Sequence, residues 1–522
     1  VVATRLTSEA IAECIRVLEA ICADRGELAY LDLELRTRLL TAAGRVSRPE
    51  RVEQRILSRE VRRKDKRDSR QADRAVLAQA GIRRKRLEPV FITPPRPELG
   101  LSGGGTFELG TGTTNGDAAE PASPLAEIPA LNVPRSCYVC KQRCTRMHGF
   151  YDHMCGTCGD FNFAKRSQTA DLRGRVALIS GARVKIGYQA AILLLRAGAR
   201  VIVTTRFPRD AALRYAREND FEDFRDRLKI YGLDLRHAPS VEAFAEVIDR
   251  NEPRLDFILH NACQTVRRPA GFYRHLMDGE LGPLARLPES AARLVRDYEA
   301  MRADAHRELG DGTTLGAPAV GLTASAALSQ VVLTSADREA GTELFPQGAL
   351  DADLQQVDQR EVNSWRLPLA EVGTTELLEV QLVNAIAPFL LNARLKPLML
   401  RERTFDKHIV NVSAMEGQFY RSFKTDKHPH TNMAKAALNM MTRTSASDYA
   451  RDGIFMNSVD TGWVTDEDPL HLAQRKTEEC GFHPPLDIVD GAARIVDPIV
   501  DGMNTGRHVW GQFLKDYKPA AW

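Results

Sequence analysis

The sequence lacks any long apolar run. Its nearest approach, "AILLLRAGARVIVTT", is broken by Arg196, Gly198 and Arg200, so no membrane span is expected. The opening "VVATRLTSEA" has none of the basic start, apolar stretch and small-residue cleavage site of a secretory signal, and a cytosolic chain is expected. No internal repeat is visible. Cysteine is sparse outside one stretch: Cys14, Cys22, Cys263 and Cys480 are scattered, whereas the other five of the nine fall between positions 137 and 158. That clustering argues against a disulfide framework and for metal binding in a reducing compartment.

What is present fits a globular protein of more than one folded unit, since 522 residues with 43% hydrophobic and 27% charged side chains exceed one ordinary core. The opening reads as helical, with Ile11, Ile15, Leu18 and Ile21 spaced by three to four behind a cap at Thr7 or Ser8; a second helix carries Leu31, Leu35 and Leu39. From Arg51 to Arg86 the chain holds 14 Lys and Arg against 5 Asp and Glu. The net charge of +3 therefore hides a basic segment and an acidic remainder. This segment has no aromatic residue, which counts against base stacking. A solvated helical face is favoured over contact with a nucleic acid or another acidic macromolecule, though both readings stay open.

Residues 1–88 are read as this basic helical region and 89–134 as a linker rich in Pro, Gly, Thr and Ala. Residues 135–166 are read as a metal-binding module. "CYVC" and "CGTC" place Cys137, Cys140, Cys155 and Cys158 as two C-x2-C knuckles, which together offer four thiolates to one tetrahedral ion. Zinc filled by four sulfurs is structural. Cys144, His148 and His153 are alternative ligands, and cysteines that merely pack are the bland reading. From 167 to 522, strands and helices alternate, which predicts an α/β fold with a doubly wound parallel sheet.

"RVALISGARVKIGYQAAILLLRAGARVIVTTR" has the form of strand, glycine turn, helix and strand, where backbone amides at a helix start can meet a pyrophosphate. A packing turn with no ligand is the alternative. The turn resembles that of the short-chain dehydrogenases: Ser180, Gly181 and Gly187 match, with Arg183 and Ile186 between them and Lys185 in the place of the middle glycine. The resemblance continues through Asp234 and Leu235 in "YGLDLR", Asn261 and Ala262 in "FILHNAC", Asn384 in "QLVNAIAPFLL", and Gly462, Val464 and Thr465 in "MNSVDTGWVTDEDP". It covers about Leu172 to Trp522 and implies a Rossmann fold that binds a nicotinamide coenzyme at these positions. Where NAD users carry an acid at the end of the second strand, this chain has Thr204, Thr205 and Arg206. Arg206, helped by Arg183, favours NADP over NAD.

At the reaction centre the resemblance is incomplete. "KHPHTNMAKAALNMM" keeps the family's lysine as Lys435, but Thr431 stands where the family has tyrosine. "IVNVSAMEG" puts Ala414 at the catalytic serine; Ser413 is its neighbour, and strand alternation aims it away. Lys435 and Asn384 remain, with Thr431, Ser413, His428 and Tyr420 as candidate substitutes. Between Asn261 and Asn384 lies an insertion, roughly 264–375, placed to form a lid, a substrate pocket or an oligomer contact. The reading is an atypical NADP-dependent oxidoreductase acting on a carbonyl, alcohol or activated double bond. Its alternative is an inactive nucleotide-binding sensor or scaffold whose basic helices and zinc module engage a macromolecular partner.

Overall fold

Strand β3 (Val176–Ser180) is buried along its whole length, with Ala177 and Ile179 on one face of the sheet and Val176 and Leu178 on the other. The same division holds for β4 (Arg200–Thr205), where Val201 and Val203 oppose Ile202, and for β6 (Phe257–His260), where Phe257 and Leu259 oppose Ile258. Unbroken apolar strands of this kind need a helical layer on each face. Helices Lys185–Arg196 and Ile488–Thr505 supply one layer; Ala238–Asn251, Ala387–Leu400 and Pro429–Arg451 supply the other.

The computed structural model describes residues 6–96, 128–309, 319–339, 342–420 and 424–522. Its main sheet adds β5 (Leu228–Gly232), β7 (Lys407–Ser413), β8 (Ile454–Asp460), β9 (Phe513–Lys515) and β10 (Lys518–Ala520), in the order β10-β9-β8-β7-β6-β3-β4-β5. Every neighbouring pair is parallel except β9 and β10. The chain runs outward from β3 to β5 and then returns to the other side of β3 as β6. This reversal opens a crevice beyond the strand ends. Register brings Ser180 beside Thr204 and His260, and Ser413 beside Asp460, so their carboxyl ends face that crevice.

The chain divides into two units, Val1–Asp73 and Arg74–Trp522. In the first, Thr7 caps helix Ser8–Ala23 and Asp32 caps helix Leu33–Ser47, and neither helix buries a residue. The second unit holds the cysteine-rich segment together with the sheet. There β1 (Arg135–Ser136) pairs antiparallel with β2 (Arg143–Cys144), followed by helix Gly156–Lys165. Phe150, Tyr151 and Met154 pack with Leu486, Ile488 and Val489. Arg166 donates two hydrogen bonds to Asp487, at 2.7 and 2.8 Å, and Asp487 itself caps helix Ile488–Thr505. Most of the expected linker, 97–127, lies outside the described residues, as do 310–318 within the insertion. Its first part is tied down: Phe91 donates to the Ala352 carbonyl and Thr93 to Glu218.

At the strand ends opposite the crevice, the fully buried Asp256 accepts from Val176 N at 2.9 Å and pairs with Arg254, Arg175 and Lys407 at 2.6, 3.2 and 3.3 Å. Burial opposes its ionisation, but these partners hold the carboxyl below its ordinary range. Asp256→Asn removes the charge and leaves the buried Lys407 ammonium without its carboxylate, at a cost of about 3 kcal/mol in chemical denaturation. Because the folded pKa is depressed, this contribution is fully present above about pH 4 and is lost as pH falls through the lower folded value. The wild-type and Asp256→Asn stabilities should therefore converge only in strong acid.

Candidate functional site

The turn after β3 is built by close approach. Gly181 has φ +67°, and a Cβ there would stand 2.7 Å from Ala262 Cα; a Cβ on Gly187 would stand 2.3 Å from Asn261 Nδ2 and 2.5 Å from the Gly181 carbonyl. Asn261 Nδ2 donates to that carbonyl at 2.9 Å, and Ala262 N donates to Ser180 Oγ at 3.1 Å. Together these bonds clamp the end of β6 onto the turn. Lys185 keeps a left-handed backbone at φ +57°, the conformation a glycine would adopt without strain. Helix Lys185–Arg196 begins there with no side chain capping its first N–H groups. Those donors point toward the crevice and suit an anion.

The crevice is a cleft of about 1150 Å³. From the turn, Gly181, Arg183, Lys185 and Ile186 line it; Arg206, Asp234 and Leu235 follow from the next two strand ends, and Asn261 and Ala262 from β6. Across the cleft stand Ser413, Tyr420, Lys435, Gly462, Val464 and Thr465. Lys435 Nζ donates to the Val412 carbonyl at 2.7 Å and is buried. Gly417 lies so close to the Lys435 backbone that a Cβ would meet its carbonyl carbon at 2.7 Å. This contact holds the strand end and the lysine helix in one register.

Several sequence-derived site residues take other roles. Ser180 and Gly187 shape the turn without lining the cleft. Asp234 lines it, but Arg236 clasps its carboxylate through Nε at 3.0 Å and Nη2 at 2.6 Å. Ser413, a catalytic candidate, lines the cleft, and its buried hydroxyl donates to Asn439 Oδ1 at 2.6 Å. Asn384 is likewise engaged by a neighbour. It sits in a π-helical turn, Leu382–Ile386, and accepts from Gln264 N at 2.8 Å, anchoring the start of the insertion. Thr431 and His428 do not line the cleft. His428 caps helix Pro429–Arg451 in a left-handed conformation and stacks on Trp365 with ring centroids 3.8 Å apart. Burial, with His430 beside it, pushes the His428 imidazole down to about 4, so it is neutral at physiological pH. Thr431 Oγ1, His428 Nδ1 and both His430 nitrogens are buried without a hydrogen bond. His430 Nε2 does lie 3.4 Å from Glu376 Oε1, within ion-pair distance but outside hydrogen-bond geometry.

Other lining residues had no motif to announce them. Tyr138 and Lys141, from the first cysteine knuckle, reach the cleft, and Trp463 N donates to Tyr138 Oη at 3.1 Å. The insertion contributes Arg268, Tyr273, Arg360 and Trp365. Its position beside the reaction centre was the available signal for Trp365, but nothing marked Tyr273 at the opposite end.

The four sulfurs of Cys137, Cys140, Cys155 and Cys158 lie within 4.8 Å of one another, a set that can hold a metal ion. Burial tends to raise the Cys137 thiol, but backbone N–H groups of Cys155, Cys140 and Val139 bring it down to about 7. Burial and the neighbouring thiols push Cys158 up. Four sulfurs so crowded cannot all ionise unless a cation offsets their charge.

Comparison with known proteins agrees with this geometry. A family model described as short chain dehydrogenase matches residues 175–275, and one described as Enoyl-(Acyl carrier protein) reductase matches 362–478. The chain is 30% identical over 384 residues to uncharacterized protein R665 of Acanthamoeba polyphaga mimivirus, covering 70% of this chain and 71% of that one. It is 37% identical over 118 residues to dehydrogenase/reductase SDR family member 13 of Bos taurus, covering 22% of this chain and only 30% of that relative. Among solved structures, the short chain dehydrogenase of Shigella flexneri is similar at 17% identity and TM-score 0.39, covering 68% and 98% of the two chains. The Pseudomonas aeruginosa RhlG/NADP active-site complex is similar at 16% identity and TM-score 0.40, covering 66% and 95%. The two family models fall on the stretches that wall the crevice, and on them rests the assignment of the chain to the short-chain dehydrogenase/reductase superfamily.

Proposed function

We propose that the protein is an NADP-dependent oxidoreductase acting on a small carbonyl, alcohol or activated double bond. The observation that carries the reading is Lys435: a buried ammonium fixed on the Val412 carbonyl yet open to the cleft, facing the Gly462–Thr465 loop. A coenzyme bound there supplies or accepts a hydride. Everything else falls to this chain. Uncapped N–H groups of helix Lys185–Arg196 receive the pyrophosphate, Lys435 holds the ribose next to the reactive ring, and Arg206 meets the far end of the molecule. The walls of the insertion and of the first cysteine knuckle keep bulk water away from the reacting atoms.

Proton transfer is the weak point of this site. Thr431 offers an aliphatic hydroxyl that does not ionise near neutrality, and Ala414 offers none. The proton then comes from water in the cleft or from a lining phenol such as Tyr420, which is 52% exposed. The same two replacements motivate a second reading, an inactive nucleotide sensor. In it the row of Arg51, Arg55, Arg59, Arg62 and Lys66 along one helix face engages an acidic macromolecule.

NADPH binding, followed by coenzyme fluorescence, should weaken about tenfold in Lys435→Ala, the loss of one charged contact. Consumption at 340 nm across a panel of carbonyls and enones should be measurable but slow. Binding without turnover on any substrate would favour the sensor. No binding at all would remove both readings.

We propose further that the cysteine cluster holds one structural zinc. Elemental analysis should give one zinc per chain. Cys140→Ser or a strong chelator should lower the melting temperature by several degrees, as expected when a tightly bound ion is withdrawn. Because Tyr138 stands between two ligands and touches Trp463, the same treatment should weaken NADPH binding as well.

A further inference from the structure

The insertion reaches the end of the cleft farthest from Lys435. Its helix Ala270–Leu281 places Tyr273 beside Arg206, at the end of β4. Arg206 Nη2 donates to Tyr273 Oη at 2.6 Å, and the guanidinium lies 4.5 Å from the Tyr273 ring centroid and 5.5 Å from that of Phe207. The two rings pack on each other with centroids 4.9 Å apart, and the guanidinium lies against this pair, oriented by its bond to Tyr273 Oη. Among the described residues, no carboxylate forms an ion pair with Arg206, whereas Arg183 is paired with Asp210 and Arg268 with Asp358.

Tyr273 is 93% buried, and having accepted one hydrogen bond it has no acceptor among the described residues for its own proton. Burial would raise this phenol, yet the guanidiniums of Arg206, Arg268 and Arg183 bring it below the ordinary value. An unspent O–H and an unpaired guanidinium, both on the cleft wall, describe a site for a compact polyanion. The insertion is also fastened to this end of the sheet. Ser325 Oγ donates to the Arg206 carbonyl at 3.0 Å, and Asp234 N donates to the Gly321 carbonyl at 2.7 Å.

We infer that Arg206 and the insertion's Tyr273 together form a phosphomonoester subsite, which reads the 2′-phosphate of the coenzyme and makes the insertion a determinant of coenzyme choice. The inference rests on the proposed NADP-dependent function. Arg206 supplies charge and two parallel N–H donors; Tyr273 supplies one O–H donor and orients the guanidinium.

The test uses the full chain and calorimetric titration with adenosine 2′,5′-bisphosphate and 5′-AMP, which differ by that phosphate alone, alongside NADPH and NADH. The bisphosphate should bind at least tenfold more tightly than 5′-AMP. Tyr273→Phe should lower bisphosphate affinity about tenfold and Arg206→Met about a hundredfold, while 5′-AMP affinity stays the same. Equal binding of the two nucleotides to the wild type, or an equal loss for both in Tyr273→Phe, would overturn the subsite. Wild type that binds NADPH and NADH equally would overturn the subsite alone, leaving a coenzyme site of relaxed choice. Wild type that binds none of the four would remove the oxidoreductase reading with it.

Discussion

Three backbones meet at one point, and the cleft exists because of that meeting. The Gly181 carbonyl, the first turn of helix Lys185–Arg196 and the end of β6 approach within distances that leave no room for a methyl group on Gly181 or Gly187. Asn261 fastens the contact with one hydrogen bond to the Gly181 carbonyl. A looser junction would let the helix start slide along the sheet, and its N–H groups would no longer aim at the crevice. Lys185 accommodates a left-handed backbone with a full side chain, at a cost of order 1 kcal/mol. The surrounding contacts over-determine that conformation. The turn is thus defined by geometry more than by residue type.

A second constraint joins the cysteine segment to the same cleft. Arg166 is buried against Asp487 and Asp490, and Tyr151 donates to Asp490. This polar cluster sits at the first turn of helix Ile488–Thr505, which covers one face of the sheet. Buried groups of both signs are tolerable only when nearly every donor and acceptor is used, so the segment docks in one way. From that docking, Tyr138 reaches the Gly462–Trp463 backbone. A Cβ on Gly462 would stand 3.0 Å from its hydroxyl, and Gly462 itself turns with φ +74°. The first cysteine knuckle, distant in sequence, thereby contributes Tyr138 and Lys141 to the cleft wall.

Much of this was legible from residues alone. Unbroken apolar strands alternating with amphipathic helices gave away the doubly covered sheet, and the spacing of the two C-x2-C pairs anticipated four converging sulfurs. The turn, the lysine and the glycine loop were also readable, because short-range backbone demands restrict what can occupy them. Less was visible where roles depend on tertiary partners. Asn384 and Ser413 are named by motifs, yet Gln264 and Asn439 engage their side chains, pairings that no motif spacing announces. Tyr138 and Tyr273 were unreadable for a similar reason. Each enters the cleft from a segment whose docking is set by packing across hundreds of residues. The burial of Leu77 and Ile82 in cores of the second unit has the same origin.

Backbone constraint is unevenly placed around the cleft, and physics accounts for the unevenness. At the turn, exchanging a residue moves backbone and closes the cleft, so even Lys185 keeps a glycine's conformation. At the start of helix Pro429–Arg451 the constraint falls on side chains instead: Thr431 Oγ1, His428 Nδ1 and both His430 nitrogens are buried without hydrogen bonds. Each such group costs on the order of 1–3 kcal/mol when nothing satisfies it. A fold that keeps several of them together at one helix start holds polar identity there against the pull of apolar packing.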